Sequence, residues 1–289
     1  MVNNPKPIAH SPQPAFKRNY GPPPAKKSLG QVFLVDAEIA REIIAKAGFS
    51  IGDRVLEIGP GRGILTAYLV KGGVDTVCCE IDSRLTKALN KRFSERENFR
   101  LIEGDILPLD LDTVFPGKEF QALGNLPYHL TSEILFKFFD YVKKCWDRNT
   151  APRAKSLTVM VQKEVGERLL SKPGCRLWGV LSLYTELFGE IESLLEAPSG
   201  HFKPRPKVDS TVVKIRFRDA YPFEINDYEL FRRLIKAAFG NRRKMLRNSL
   251  AGFSFPVNLE MDLRLRPEEL RAEDFAYLAN SINEGNDTT

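Results

Sequence analysis

Cysteine and histidine are scarce in this chain of 289 residues, with four of the first and three of the second. Cys78 and Cys79 are adjacent, Cys145 and Cys175 lie far off, and no C-x-x-C occurs, so neither a disulfide framework nor a zinc cluster is encoded. His10, His129 and His201 are scattered, and no metal site is expected. Long apolar runs are missing too. Nothing approaches the ~18 uninterrupted apolar residues of a membrane helix, and the N-terminus lacks the apolar centre of a secretory signal. No membrane partner and a cytoplasmic location are therefore expected. Acid is absent before Asp36, where Lys6, Lys17, Arg18, Lys26 and Lys27 stand among seven prolines. That composition cannot build a core, and residues 1–27 read as a disordered basic arm.

What is present is ordinary for a globular protein: 43% hydrophobic and 28% charged residues, at a length that predicts about two domains. Lys plus Arg number 43 against 37 Asp plus Glu, a net charge of +6. The surplus of base suggests a polyanionic partner.

From Arg54 the text alternates between β-rich runs and amphipathic ones. Arg54 to Gly59, Thr76 to Asp82, Arg100 to Asp105, Gln121 to Leu126 and Ser156 to Lys163 read as strands, with helices over Ile64 to Lys71, Ser83 to Ser94 and Thr131 to Lys144. Strand and helix in alternation mean an α/β fold with a mostly parallel sheet covered on both faces. Glu190 to Glu196 and Asp209 to Phe217 add two strands, joined through Pro198, Pro204 and Pro206, which would close the sheet with an antiparallel edge. Beyond Asp219 only helical patterns remain, at Tyr228 to Phe239, Arg242 to Leu250 and Pro267 to Asn280. The expected organisation is the arm, a ligand-binding α/β domain over 28–218 and a small all-α domain over 219–289.

Glu57-Ile58-Gly59-Pro60-Gly61-Arg62-Gly63 leaves a strand and enters a helix, the place where an open α/β sheet binds nucleotide-like ligands. Glycines there permit a tight turn and close approach of the ligand. Glu80 ends the second strand, placed to accept both hydroxyls of a ribose, and Asp105 ends the third, placed to meet an adenine edge. The Gly-x-Gly-x-Gly spacing is wrong for a dinucleotide. Glu57 would repel a pyrophosphate, yet suits a ligand carrying ammonium and sulfonium charge. The constellation points to S-adenosylmethionine, although glycines at such a turn need no ligand and strand-end acids also serve as helix caps.

The fourth strand ends in Asn125-Leu126-Pro127-Tyr128. A conjugated amine is a poor nucleophile because its lone pair is delocalised into the ring. The amide oxygen of Asn125 and the carbonyl of Leu126 can accept its two hydrogens and draw the nitrogen towards a tetrahedral geometry. Pro127 stiffens the turn, and Tyr128 offers a face on which the base stacks, worth ~1–3 kcal/mol. The bland alternative is a turn with a buried tyrosine. His129 reads as a surface or helix-entry residue.

These motifs, with Leu29-Gly30-Gln31-Val32-Phe33-Leu34, Glu80-Ile81-Asp82, Gly104-Asp105-Ile106, Val161-Gln162-Lys163-Glu164-Val165 and the Phe202 to Ser210 segment, resemble the small-subunit ribosomal RNA adenine dimethyltransferases, the family whose loss gives kasugamycin resistance. The resemblance covers Ser28 to Asn280. It implies a class I methyltransferase (Rossmann-like) sheet of seven strands with an all-α C-terminal domain. It also implies S-adenosyl-L-methionine as cofactor, and two methyls added to each of two adjacent adenosines near the 3′ end of small-subunit rRNA in an immature ribosomal subunit. A monomer is expected. The cofactor-binding set is then Gln31, Val32, Leu34, Glu57, Gly59, Gly61, Glu80, Asp105 and Asn125. Val32 stands where the family pattern has Asn or His, which leaves it a backbone contact only. Phe202 resembles the second aromatic, opposite Tyr128 across the target base; it also reads as a core phenylalanine at a strand entrance.

Between Phe231 and Leu250 lie Arg232, Arg233, Lys236, Arg242, Arg243, Lys244 and Arg247, with no acid. Such density is a phosphate-binding footprint. A helix there would put Arg243 and Arg247 on one face, with Leu246 and Leu250 as the docking stripe. Three other functions share parts of the pattern: a large-subunit rRNA adenine methyltransferase conferring macrolide resistance, a mitochondrial transcription factor of the same fold, and an NAD dehydrogenase.

Overall fold

The computed structural model describes residues 23–282. The basic arm therefore lies outside the described residues up to Tyr20-Gly21-Pro22. The chain forms two compact units. One comprises the described residues up to Gly166 together with Glu192–Phe217, and the other comprises Glu167–Ile191 together with the described residues from Arg218.

The first unit begins with β1 (Phe33–Leu34) and α1 (Ala37–Ala47). It then alternates β2 (Arg54–Ile58), α2 (Ile64–Lys71), β3 (Asp75–Glu80), α3 (Ser83–Phe93), β4 (Phe99–Glu103), β5 (Phe120–Asn125), α4 (Thr131–Trp146) and β6 (Ala154–Gln162). After α5 (Lys163–Leu170) and α6 (Val180–Phe188) come β7 (Gly189–Ala197), β8 (Phe202–Lys203) and β9 (Ser210–Phe217). The seven-stranded sheet has the order β4-β3-β2-β5-β6-β9-β7. Its first five strands are parallel, and β9 runs antiparallel to β6, pairing Ser156 with Arg216 through Gln162 with Ser210.

Local chemistry explains the element ends. Asp36 caps α1 by accepting from the Glu38 and Ile39 amides, Asp82 caps α3 through the Arg84 amide, and left-handed Gly48 ends α1. Helix α2 is buried at every position from Leu65 to Val70, whereas α3 buries only Leu85, Thr86, Leu89 and Phe93. Phe49, Ile43, Val55, Leu69 and Val212 belong to the core that holds α1 and α2 against the sheet. Buried Lys214 reaches from β9 to the Ala47 carbonyl at 2.6 Å, satisfying one of the orphan acceptors at the end of α1. Gly124 is required by close packing, since a Cβ there would stand 2.9 Å from the Ile58 carbonyl oxygen on β2.

The second unit holds α6, α7 (Tyr228–Gly240), α8 (Leu246–Ser249) and α9 (Ala272–Ser281). Trp178 Nε1 donates to the Leu270 carbonyl at 2.8 Å, the Gly174 amide to Glu268 at 2.7 Å, and Arg271 pairs with Glu186 at 2.7 Å. These bonds tie Glu167–Ile191 to the C-terminal helices, although the sequence places that segment between strands.

Two expectations change. The helix expected over Arg242 to Leu250 is only the single turn α8, because Asn241 to Lys244 form a turn after α7. The helix expected over Pro267 to Asn280 is a 3-10 turn at Pro267–Glu269 followed by α9, with Leu270 extended between them. Helices α1, α5 and α6 and the β1–β8 pair were not anticipated.

Candidate active site

Strand order places the site. The chain steps outward from β2 to β3 to β4, then returns to the other side of β2 with β5, so the direction of winding switches between β2 and β5. Ligands of open α/β sheets bind at the carboxyl ends of strands at such a switch. Because Ile58 is paired with Gly124, the glycine turn after β2 and Asn125 at the end of β5 are neighbours.

A cleft opens there, lined by Leu29 to Leu34, Glu57 to Arg62, Glu80, Asp105 and Asn125 to Leu130, among others. It brings together Gln31, Val32, Leu34, Glu57, Gly59, Gly61, Glu80, Asp105, Asn125, Leu126, Pro127 and Tyr128, all singled out from the sequence. Gly59, Gly61 and Gly63 have φ of 62°, 58° and 71°. A Cβ on Gly59 would meet nothing within 4 Å, while one on Gly61 would stand 2.9 Å from the Phe33 ring. The turn is thus open on the cleft at the first glycine and packed at the second.

Glu80, 4% exposed, accepts the Gly61 amide through Oε2 and the Asp82 amide through Oε1, both at 3.0 Å. Burial pushes its pKa up, opposed by these two bonds. Each carboxylate oxygen keeps a second lone pair, so hydroxyls of a ribose can still be accepted. Asp105 accepts the Leu107 amide at 2.9 Å. The loop beyond it is fixed by Lys137 of α4, whose Nζ donates to the Leu107 and Leu109 carbonyls at 2.9 and 2.6 Å.

Glu57 is more deeply placed than the sequence suggests. It is 1% exposed and accepts from Thr66 Oγ1 at 2.6 Å and Cys78 Sγ at 3.5 Å. Desolvation pushes its pKa up to about 7, against the lowering effect of those hydrogen bonds. The fixed negative charge expected at the turn is therefore a titrating group. Because the folded value lies above the unfolded one of 4.5, the unfolded chain ionises first, and Glu57 erodes stability as pH rises from about 4.5 to 7. Glu57→Gln, which keeps the acceptor for Thr66, should flatten that loss, by roughly 3 kcal/mol at the upper end. Urea unfolding of both proteins across the window reads it; parallel curves would contradict the buried-acid assignment.

Asn125 is oriented from outside its own loop. Its Nδ2 donates to the Val32 carbonyl at 2.9 Å, which turns Oδ1 away as the remaining acceptor. Val32 thus contributes its backbone carbonyl to the orientation of Asn125. Tyr128 Oη bonds Ser210 Oγ at 3.0 Å, and burial raises its pKa, so the ring is held and the phenol stays neutral. His129 lines the cleft against Gly30, where a Cβ would stand 2.6 Å from Nδ1.

Phe202 is not brought to the cleft. It is 2% exposed within the core around Leu34, Ala40 and Val212, paired on β8 with Leu34 of β1. The ring occupies a core place rather than the stacking place that the resemblance implies. Sequence reasoning also missed Arg62 and Arg92. Arg62 covers the Phe33 ring at 4.6 Å, and Arg92 donates to the Arg62 and Gly63 carbonyls at 3.1 and 3.3 Å, bracing the glycine turn. No local motif signals these contacts, which span 29 and more residues.

In the second unit Arg233, Lys236, Arg243, Lys244 and Arg247 are exposed. Arg232 pairs with Glu229 at 3.4 Å, and Arg242 lies 3.8 Å from Glu268 and donates to the Arg176 carbonyl. The absence of acid between Phe231 and Leu250 thus does not hold in space: folding brings in compensating carboxylates from outside the stretch. Among the described residues no group of three or more His, Cys, Asp or Glu could hold a metal, and no helix is long and apolar enough to cross a membrane.

The glycine cradle, two strand-end carboxylates and an amide acceptor fit a nucleoside whose sulfur carries a methyl. Comparison with known proteins agrees. A profile described as ribosomal RNA adenine dimethylase matches residues 24–282. The ribosomal RNA small subunit methyltransferase A of Desulforapulum autotrophicum is 37% identical over 270 residues, 89% of this chain and 92% of its own. That of Pseudomonas putida is 35% identical over 262 residues, covering 89% and 95%. Among solved structures, a dimethyladenosine transferase from Plasmodium falciparum superposes with a TM-score of 0.67 at 25% identity, over 85% of this chain and 95% of that one. The 23S rRNA methyltransferase ErmE gives 0.64 at 25% identity, over 86% and 99%. On the profile match and the identity of these relatives across most of its length, the chain belongs to the ribosomal RNA adenine dimethylase family.

Proposed function

We propose that the protein dimethylates the exocyclic amines of two adjacent adenosines near the 3′ end of small-subunit rRNA, acting as a cytoplasmic monomer on an immature ribosomal subunit. S-adenosylmethionine, when bound, supplies the electrophilic methyl group. Glu80 and Asp105 are the residues to hold its ribose and adenine, with the Gly59 turn against its backbone-facing side. The observation that carries the reading is the Asn125 amide, held by the Val32 carbonyl with its oxygen free beside the glycine turn. Asn125 Oδ1 and the Leu126 carbonyl accept the two amine hydrogens and localise the nitrogen lone pair. Tyr128 provides a stacking face for a base that is single-stranded or splayed from its stack. The methylated amine loses its proton to water, so no general base is required of the chain. The exposed arginines and lysines around α8 carry the RNA backbone.

Methylation of large-subunit rRNA is the second reading, favoured by the likeness to ErmE; the names of the relatives favour the small subunit. Mass mapping of rRNA treated with the purified protein and labelled cofactor tests the choice. Two neighbouring dimethyladenosines near the small-subunit 3′ end are expected. Label confined to large-subunit RNA would overturn the assignment.

A further inference from the structure

Residues 29–34 line the cleft as a strap whose second half is anchored in the fold: Phe33 and Leu34 are buried, Leu34 sits in the main core, and the Val35 amide donates to the His201 carbonyl at 2.9 Å. Phe33 and Leu34 pair with Lys203 and Phe202, Arg62 covers the Phe33 ring, and the Val32 carbonyl receives Asn125. At its leading end Gln31 makes two bonds: Nε2 donates to Asp82 Oδ2 at 2.9 Å, and Oε1 accepts the Lys26 amide at 2.8 Å. Asp82 is a fixed post. It is 4% exposed, caps α3, and is gripped by Arg84 through Nε at 2.9 Å and Nη2 at 2.6 Å. The Arg84 guanidinium holds its carboxyl well below the usual range, so it stays ionised and remains an acceptor at any working pH.

We propose that Gln31 is a positioning residue, a latch that acts through Asp82 to hold the strap closed over the cofactor cleft and thereby to keep the Val32 carbonyl where it orients Asn125. The sequence resemblance groups Gln31 with residues that touch the cofactor; here both ends of its amide are already engaged by protein. Two consequences follow from one bond. Opening the latch frees one wall of the cleft, so the cofactor leaves faster. It also withdraws the acceptor that fixes the Asn125 amide, so the amine is aligned less often and the rate per bound complex falls.

The inference rests on the cleft being the S-adenosylmethionine site, and wild-type binding of S-adenosylhomocysteine by titration calorimetry tests that reading separately. In Gln31→Glu, a carboxylate faces Asp82 in place of the donor. Affinity for S-adenosylhomocysteine should fall about tenfold, the scale of a lost hydrogen bond to a charged partner. In the protein without cofactor, amide exchange at Phe33 to Val35 should quicken. The kcat should drop as well as the KM rising. Adding Asp82→Asn restores a donor opposite the new acceptor, and asparagine still caps α3. Gln31→Glu/Asp82→Asn should therefore recover affinity and exchange protection to near wild type, a coupling that a loss of general stability cannot produce. Gln31 is half-buried at the surface, and thermal melting of each variant verifies the fold. Unchanged affinity in Gln31→Glu, or a double variant no better than it, overturns the latch while leaving the wild-type binding result standing.

Discussion

Asn125→Ala is expected to slow methyl transfer roughly 10²-fold, the scale of removing one preorganised hydrogen-bonding group from a reacting centre. An aromatic amine attacks only when its lone pair is drawn out of conjugation and pointed at the methyl, and alignment of this kind supplies much of an enzyme's acceleration. Asn125 stands on the end of β5, a strand buried from Ala122 to Gly124, so its backbone does not move to compensate. The side chain also receives its orientation from Val32, and the substitution strips one attachment from the strap. Cofactor affinity should therefore weaken, but only a few-fold, because Glu80, Asp105 and the glycine turn are untouched. Single-turnover rates with saturating cofactor, set beside binding titrations, separate the two effects. Turnover at the wild-type rate would refute the role given to Asn125.

The second large effect concerns RNA. Arg243, Lys244 and Arg247 are exposed on the turn after α7 and on α8, with Arg247 near enough to Asp262 to help hold that carboxylate ionised. Leu246 and Leu250 beside them are buried, 0% and 1% exposed, so the backbone that carries the charges is fixed to the helical unit. Replacing all three with alanine should weaken RNA binding and lower the slope of log affinity against log salt by about 2–3, since each neutralised phosphate contributes ~0.7–0.9. S-adenosylmethionine affinity should not change. Arg242 makes the contrast: its contacts with Arg176 and Glu268 are internal, so Arg242→Ala should lower the melting temperature more than the salt slope. A triple variant with the wild-type slope would place the RNA elsewhere.

The expected helix over Arg242 to Leu250 shows why such surfaces are read imperfectly from sequence. Its residues have helical composition, but Asn241 to Lys244 turn, and the Leu246 and Arg247 amides donate to the Leu265 and Leu263 carbonyls rather than inside a helix. Tertiary partners outbid local propensity. Phe202 illustrates the same limit at the cleft: an aromatic at a strand entrance fits a stacking wall or a core, and pairing of β8 with β1 puts it in the core. Likewise Trp178, between two strands in sequence, finds its acceptor at Leu270 in the second unit.

By contrast the parallel strands, the glycine turn, the strand-end carboxylates Glu80 and Asp105, and the Asn125 to Tyr128 motif were legible, because each is written in consecutive residues and governed by local rules. Periodicity fixes which segments are strands, positive φ demands glycine at the turn, and a loop's chemistry lies in its own side chains. What the tertiary structure alone decided is which strand ends meet. A crossover from β2 is locally possible on either side, and the pairing of Ile58 with Gly124 is made between strands more than sixty residues apart, with α1 and α2 packed on the sheet. That pairing sets the acceptor motif beside the glycine cradle, and the long-range bonds from Gln31, Val32 and Arg92 hold both in place, because contacts between residues distant in the chain carry no local signature.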